Sequence, residues 1–230
     1  MQRIVFRYRR DALASTLSHN DLRTMFLNAA QLAGLPIDEE RRPITMGPPL
    51  PPGATSEAEF AVIELVDPRD PSEVGQQLNL HLAPGIHIER AWIALPGNPH
   101  ENPVAYDEAV YDVLWQNVPI CDEVFGRLRQ FLAATEVDFT RVREKKVQHL
   151  NARALVHSIT LLGCRDGQAR FRMVLSIGPQ GSLRPEEVLL VLGFNPQPDT
   201  VHTHRIALLR SSWRHLSPGK IGAFEQRRYL

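Results

Sequence analysis

The same order of strand and helix patterns occurs twice along this chain of 230 residues. In each half, an alternating apolar strand precedes an amphipathic helix, and two further strands precede a second helix and a last strand. This β-α-β-β-α-β order is that of a ferredoxin-like unit, in which the strands pair as an antiparallel sheet. The sequence therefore predicts an α+β fold made of tandem ferredoxin-like units.

A segment rich in proline and glycine separates the two halves. LPGNPHENPVA, at 95–105, holds three prolines, a glycine and two asparagines, and such residues favour turns over regular structure. We expect a first domain at 1–97, a linker at 98–105 and a second domain at 106–210. Residues 211–230 are predicted to form a basic C-terminal tail.

The first strand and the first helix have the clearest local patterns. Phe6 and Tyr8 share the apolar face of the strand, which predicts that they pack in the core, whereas Arg7 and Arg9 face the other way. Residues 18–34 begin with a capping-box pattern and end at a glycine, as helices commonly do. Arg7 and Arg9, on the opposite face of the strand, can therefore contact phosphate.

The net charge is zero, but the charge is unevenly distributed. Residues 1–139 hold 11 Lys and Arg against 20 Asp and Glu, whereas residues 140–230 hold 15 against 6. The two parts therefore carry −9 and +9. A basic half of this kind can bind a polyanion such as RNA, or it can pair with an acidic surface on the same or another protein.

Candidate phosphate ligands follow from this asymmetry. The densest group of cations is in RVREKKVQHLNAR, at 141–153, which predicts a β-hairpin or a loop arm. Several cations together are what binding to a phosphate backbone requires. The candidates for RNA or phosphate binding are Arg7, Arg9, Arg141, Arg143, Lys145, Lys146, Arg153, Arg184 and Arg205.

Two histidines are weak candidates for acid–base catalysis. His19 stands at the start of the first predicted helix, where backbone N–H groups can hold an anion. His204 follows His202 at a spacing of two, so both face the same side of the last strand. Two histidines alone do not make a zinc site, and we expect no metal. The chain also lacks a Gly-rich phosphate loop, a nucleophile elbow and the cysteines of an iron–sulfur cluster, so no cofactor is predicted.

The cysteines and the apolar pattern indicate the compartment. There are two cysteines, Cys121 and Cys164, and there is no apolar span or signal-peptide pattern. This predicts a cytoplasmic protein without a disulfide scaffold. The acidic pairs Glu57/Glu59 and Glu186/Glu187 are expected to be solvated, at a turn and at a helix start.

Short motifs are spread over the chain in a fixed order. They are MQRI, LSHNDL, LAGLP, LPPG followed by SEAE, LAPGIHIERA, LNAR and GSLRPEEVL, with HR at 204–205. In these motifs the chain resembles the radical-SAM-linked protein family, a domain family of unknown function whose members are found beside, or fused to, radical S-adenosylmethionine proteins. It departs from the family at IDEERRPIT, which is shorter than the family's segment, and at Asn151, where the family has aspartate.

The resemblance implies an accessory or substrate-binding partner of a radical S-adenosylmethionine enzyme. Together with the basic second half, it favours a non-catalytic protein that presents RNA through a basic face. One alternative is an RNA-processing or RNA-modifying enzyme that uses a histidine as acid or base. Another is a protein-interaction module that binds no nucleic acid.

Overall fold

The computed structural model describes residues 1–94, 105–143, 146–178 and 181–211. Most of the predicted linker and tail lies outside these residues, as do Lys145 and the side chains of Arg143 and Lys146. None of the described helices is both long enough and apolar enough to cross a bilayer.

The first half follows the predicted order of elements. They are β1 (Gln2–Arg10), α1 (His19–Leu32), β2 (Ile44–Met46), β3 (Thr55–Leu65), α2 (Pro71–Asn79) and β4 (Ile86–Ile93). The capping box at the start of α1 is confirmed, because the side chains of Ser18 and Asp21 each accept from the other's backbone N–H. The main difference is in β3: the apolar run FAVIELV predicts a strand over 60–66, but β3 begins at Thr55.

The second half adds a hairpin to the same order. Its elements are β5 (Glu108–Gln116), α3 (Cys121–Ala133), β6 (Asp138–Arg143), β7 (Lys146–Asn151), α4 (Ala152–Leu155), β8 (Val156–Arg165), β9 (Gln168–Gly178), β10 (Gly181–Ser182), α5 (Pro185–Val191) and β11 (Val201–Leu209). β6 and β7 pair with each other as a separate two-stranded sheet, and this confirms the hairpin reading of the basic segment.

Nine of the described strands form one sheet, and the fold is α+β. The strand order is β10-β9-β5-β11-β3-β1-β4, with β2 also paired to β3 and β8 also paired to β9. Neighbours are antiparallel except for β11 and β3, which run parallel and join the two halves. That contact consists of two residue pairs, His204 with Thr55 and Arg205 with Ser56. We call this junction the seam.

The described helices pack on one side of the sheet, which we call the helix side. The other we call the open side, although Val5, Phe60 and Val62 of the first half face it and are buried. In the first half, Phe6 and Tyr8 lie on the helix side and pack against Phe26 of α1, with ring centres 6.5 and 5.1 Å away. Both are buried, which confirms the prediction that they belong to the core. In the second half, Val113 of β5 and Leu128 of α3 share the other core cluster.

The two cysteines form one disulfide, a bond that the prediction of a chain without a disulfide scaffold did not anticipate. Cys121 is the first residue of α3 and Cys164 lies in β8, with Cα atoms 5.7 Å apart. The packing of α3 on β8 brings together two positions that are 43 residues apart in sequence. Amino-acid composition alone does not predict that Cys121 and Cys164 lie close together.

Candidate functional site

A β-bulge shapes the seam. Tyr8 of β1 lies opposite Glu59 of β3, whereas Arg10, two residues later, lies opposite Ser56, three residues earlier. β3 therefore has one extra residue between the two pairs, so that Glu59 and Ser56 both face the helix side. Ser56 also lies opposite Arg205 of β11. The bulge thus brings charged residues of three strands to one place.

A buried ion pair joins the two halves at this place. The Arg205 guanidinium is completely buried, and its Nε lies 2.9 Å from Oε1 of the buried Glu59. Its Nη2 donates to Oε2 of Glu59 at 3.2 Å and to the Pro48 carbonyl at 3.3 Å. The Tyr111 ring centre lies 5.9 Å from the guanidinium carbon. We call Tyr8, Glu59, Tyr111 and Arg205 the seam cluster.

The two phenols of the seam cluster stay neutral. Burial raises the pKa of Tyr8 far above its ordinary value, and the nearby Glu59 carboxylate raises it further, against the opposing charges of Arg205 and Arg10. Burial also raises the pKa of Tyr111. Both tyrosines therefore keep their protons at neutral pH and remain hydrogen-bond donors.

The start of α1 borders the seam cluster from the first half. Arg10 donates to three backbone carbonyls between Ala14 and Leu17, at 2.6 to 2.9 Å, and so fixes the chain that leads into the helix. His19, the first residue of α1, is exposed and interacts electrostatically with Glu59. Partial burial lowers the pKa of His19, which favours a neutral imidazole at this rim.

The start of α5 borders the seam cluster from the second half. Arg184 and Glu186 both interact electrostatically with Tyr111. Burial raises the pKa of Glu186, against the backbone hydrogen bond and the Arg184 charge that lower it. Its Oε2 is buried and has no hydrogen-bond partner among the described residues. Glu186 was expected to be solvated, and the structure corrects this.

The base of the basic hairpin packs on the same helix. Arg141 of β6 donates to the Ser182 carbonyl at 2.7 Å and forms an ion pair with Glu187. The Glu187 carboxylate also accepts the backbone N–H of Arg184 at 2.8 Å. Two predicted site residues, Arg141 and Arg184, therefore share the Glu187 carboxylate. Arg184 interacts electrostatically with Tyr111, and His19 with Glu59, in the seam cluster, which also contains Arg205.

Other candidates lie on the open side. Arg7 donates to the Glu57 carbonyl at 3.2 Å and lies 3.8 Å from the Glu89 carboxylate, while Arg9 is exposed. His204 shares this side: its Nδ1 is 2.7 Å from Oγ1 of Thr55. His19 and His204 therefore lie on opposite sides of the sheet and do not form one site.

His204 also lines a shallow groove of about 300 Å³ on the open side. Asp112 in this groove accepts two hydrogen bonds from Arg172, at 2.8 and 2.9 Å, and these bonds lower the pKa of the Asp112 carboxyl. The other polar residues of its lining are Arg170, His202, Thr55 and Thr203. Arg170 and Arg172 alternate with buried Ala, Phe and Met in β9, and this period-two pattern could have identified them from sequence.

Arg153 and Asn151 have local structural contacts. Arg153 donates to the Val156 carbonyl at 2.9 Å and lies over the Phe131 ring. Asn151 caps the short helix α4, and its Oδ1 accepts the N–H groups of Val137 and Arg153 at 3.2 and 3.1 Å. An aspartate could accept the same two bonds, so Asn151 retains the capping contacts.

Sequence reasoning missed the acidic partner of the seam. Glu59 was expected at a solvated turn, but it is buried and paired with Arg205. The AVYDVLW pattern at 109–115 predicts a strand, but it assigns Tyr111 no part in a site. Among the described residues, no group of three or more His, Cys, Asp or Glu is placed to hold a metal ion.

Neutralising Glu186 is expected to leave the fold at least as stable at neutral pH. The pKa of the Glu186 carboxyl is raised in the folded chain, so its protonation stabilises the fold. This contribution is complete below the ordinary pKa near 4.5 and is lost as the pH rises through the pKa of the folded chain. Glu186→Gln mimics the protonated form, so its advantage should appear at about pH 7 and vanish below about pH 4.5. Urea unfolding at both pH values measures this; a variant less stable than the natural chain at neutral pH would contradict it.

Comparison with known proteins shows the family. The profile described as "Uncharacterized protein conserved in bacteria (DUF2344)" matches residues 3–185. The chain belongs to the DUF2344 family. No curated protein shows a significant match to it.

Three solved structures resemble this DUF2344 chain at low identity. A Cbf5-Nop10-Gar1 complex gives a TM-score of 0.48 at 9% identity, over 89% of this chain. An H/ACA RNP bound to a substrate RNA containing 2'-deoxyuridine gives 0.44 at 9% over 88%, and an archaeal box H/ACA sRNP Nop10-Cbf5 complex gives 0.43 at 10% over 88%. The matches cover 48%, 46% and 46% of those chains, so this chain spans less than half of their length.

Proposed function

We propose that this protein is a cytoplasmic RNA-binding accessory partner of a radical S-adenosylmethionine enzyme. The enzyme partner rests on the sequence resemblance. The RNA-binding function rests on the basic second half and on one structural observation: Arg141 and Arg184 share the Glu187 carboxylate on the helix side, the side on which Arg205 is buried. The predicted hairpin cations Arg143, Lys145 and Lys146 follow Arg141 in the sequence.

The contacts indicate different roles for these three arginines. Arg141 and Arg205 are buried in ion pairs with Glu187 and Glu59, so they position neighbouring elements. Arg184 is half-buried beside the seam cluster and keeps its side chain near the surface. We therefore assign phosphate contacts to Arg184 and to the hairpin cations, because phosphate binding uses accessible positive charge.

The proposed architecture is two ferredoxin-like domains, at 1–97 and 106–210, joined at the seam. Strand order supports this: β4-β1-β3-β2 in the first half corresponds to β11-β5-β9-β8 in the second. In both, the first and third strands of the unit are central and antiparallel neighbours. The helices between them match the β-α-β-β-α-β order.

Two charge-reversal variants test the RNA interface. The first carries Lys145→Glu, Lys146→Glu and Arg184→Glu, all in the basic second half of the sequence. We expect it to lose on the order of 100-fold in affinity for single-stranded RNA, and the log–log salt slope to fall by about 2, since each phosphate contact contributes about 0.7. Fluorescence anisotropy over a salt series measures both quantities.

A matched variant controls for net charge. Arg9→Glu, Arg165→Glu and Arg170→Glu make the same charge change at exposed positions on the open side. We expect this variant to retain most of its RNA affinity. Loss of binding in this variant alone would move the interface to the groove at His204. Unchanged binding in both variants, or no RNA binding by the natural chain, would overturn the RNA-binding function.

A further inference from the structure

The floor of the shallow groove on the open side is a regular grid of side chains. β9, β5 and β11 lie next to one another, and their register sets two rows across the three strands. The first row is Arg170, Leu114 and His202, and the second is Arg172, Asp112 and His204. Neighbouring strands are about 4.8 Å apart, and alternate residues of one strand are about 7 Å apart. The register therefore places these six side chains side by side on one patch of the sheet.

The second row is engaged in its own contacts. Arg172 donates two hydrogen bonds to Asp112, at 2.8 and 2.9 Å. Nδ1 of His204 lies 2.7 Å from Oγ1 of Thr55, and its Nε2 lies 4.0 Å from Oε2 of Glu57. Among the described residues that line the groove, Asp112 is the only carboxylate, and Arg172 balances its charge.

The first row is accessible to a ligand. Arg170 and His202 are exposed, and neither forms a hydrogen bond or an ion pair with any residue in the described part of the chain. Leu114 lies between them and is half-buried. Leu162 of β8 also lines the groove, with 55% of its surface exposed. This row thus presents a guanidinium without a counter-ion and an imidazole next to an apolar surface.

These groups suit a small organic oxyanion. A guanidinium binds a carboxylate or a phosphate through two parallel N–H groups, and an imidazole N–H can donate one further bond. The balanced charge of Asp112 leaves Arg170 as the net charge of the lining, which favours an anion over a cation. The groove holds about 300 Å³, the lower end of the size of small-molecule sites.

We propose that this groove binds a small organic phosphate or carboxylate. Arg170 and His202 bind the oxyanion, and the apolar part of the ligand packs on Leu114 and Leu162. The second row forms a fixed edge of the site, because Arg172 and Thr55 hold its side chains in place. This site does not depend on the proposed RNA-binding function, so either can fail without the other.

Phenyl phosphate is the probe, because it joins a phosphate to a single apolar ring. Its binding to the full chain is measured by nuclear magnetic resonance titration, beside inorganic phosphate, benzoate and phenol. We expect saturable binding of phenyl phosphate, at least about threefold weaker binding of inorganic phosphate, and no saturable binding of phenol. Tighter binding of phenyl phosphate than of benzoate assigns a phosphate ligand, and the reverse order assigns a carboxylate; both orders support the site.

Three variants locate the binding. Arg170→Gln removes the guanidinium, and the affinity for phenyl phosphate should fall at least about tenfold. Arg165→Gln makes the same charge change at an exposed residue outside the groove lining, and the affinity should stay within about twofold. Leu162→Ser should weaken phenyl phosphate about threefold and leave inorganic phosphate unchanged, because only the ring contacts this side chain.

Three results would overturn the oxyanion site. The first is an absence of saturable binding of both phenyl phosphate and benzoate. The second is an equal loss of affinity in Arg170→Gln and Arg165→Gln, which would show a general effect of net charge. The third is displacement of bound phenyl phosphate by single-stranded RNA, which would assign the groove to the RNA interface.

Discussion

Replacing Glu59 by glutamine is expected to lower the free energy of unfolding by about 3 to 5 kcal/mol, because Arg205 is then left as a buried charge without its counter-ion. For a chain of this size the melting temperature should fall on the order of 10 °C. Urea and thermal unfolding followed by circular dichroism measure both. Glu57→Gln is the matched control, and it should stay within about 0.5 kcal/mol of the natural chain because Glu57 is exposed.

A paired replacement separates the charge from the packing. Glu59→Leu with Arg205→Met removes both charges and keeps much of the side-chain volume. We expect the double variant to recover most of the stability that Glu59→Gln loses, because two apolar partners leave no charge buried. If Glu59→Gln falls within about 1 kcal/mol of the natural chain, the ion pair does not hold the seam together.

Periodicity predicted most of the elements, and the bulge explains the main failure. β1 and α1 follow period-two and helical patterns over their whole length, so their buried faces could be read from sequence. In β3, strict alternation would place Glu57 and Glu59 on the same face. The extra residue turns Glu59 to the helix side and Glu57 to the open side. A bulge is set by pairing with β1, which local sequence does not encode.

The candidate site shows the same division between local and long-range information. Arg184, Arg205 and His19 were selected from sequence, and they lie at or beside the seam cluster. Their acidic partner, Glu59, was not selected, because it stands 146 residues before Arg205 and close to Glu57 in a segment expected to be a solvated turn. Conversely, Arg7 and Arg153 were selected for their charge, but they contact backbone carbonyls. Charge identifies cations, but tertiary contacts determine which of them are engaged.

Breaking the bond between Cys121 and Cys164 is expected to lower the free energy of unfolding by about 4 kcal/mol under oxidising conditions. The cysteines are 43 residues apart, and closing a loop of that length restricts the unfolded chain. The double variant Cys121→Ser, Cys164→Ser is compared with the natural chain by urea unfolding, with and without dithiothreitol. Reductant should bring the natural chain to the stability of the double variant and leave the double variant unchanged.

The stability of the natural chain with its disulfide reduced tests the proposed cytoplasmic location, because the cytoplasm keeps thiols reduced. A loss of about 4 kcal/mol is a large part of the stability of a typical domain, which is about 5 to 15 kcal/mol. A natural chain that remains folded in dithiothreitol at 37 °C, on the order of the growth temperature of many bacteria, supports function with free thiols in a reducing compartment. A natural chain that unfolds there requires the disulfide for its fold, and that result would contradict the cytoplasmic location.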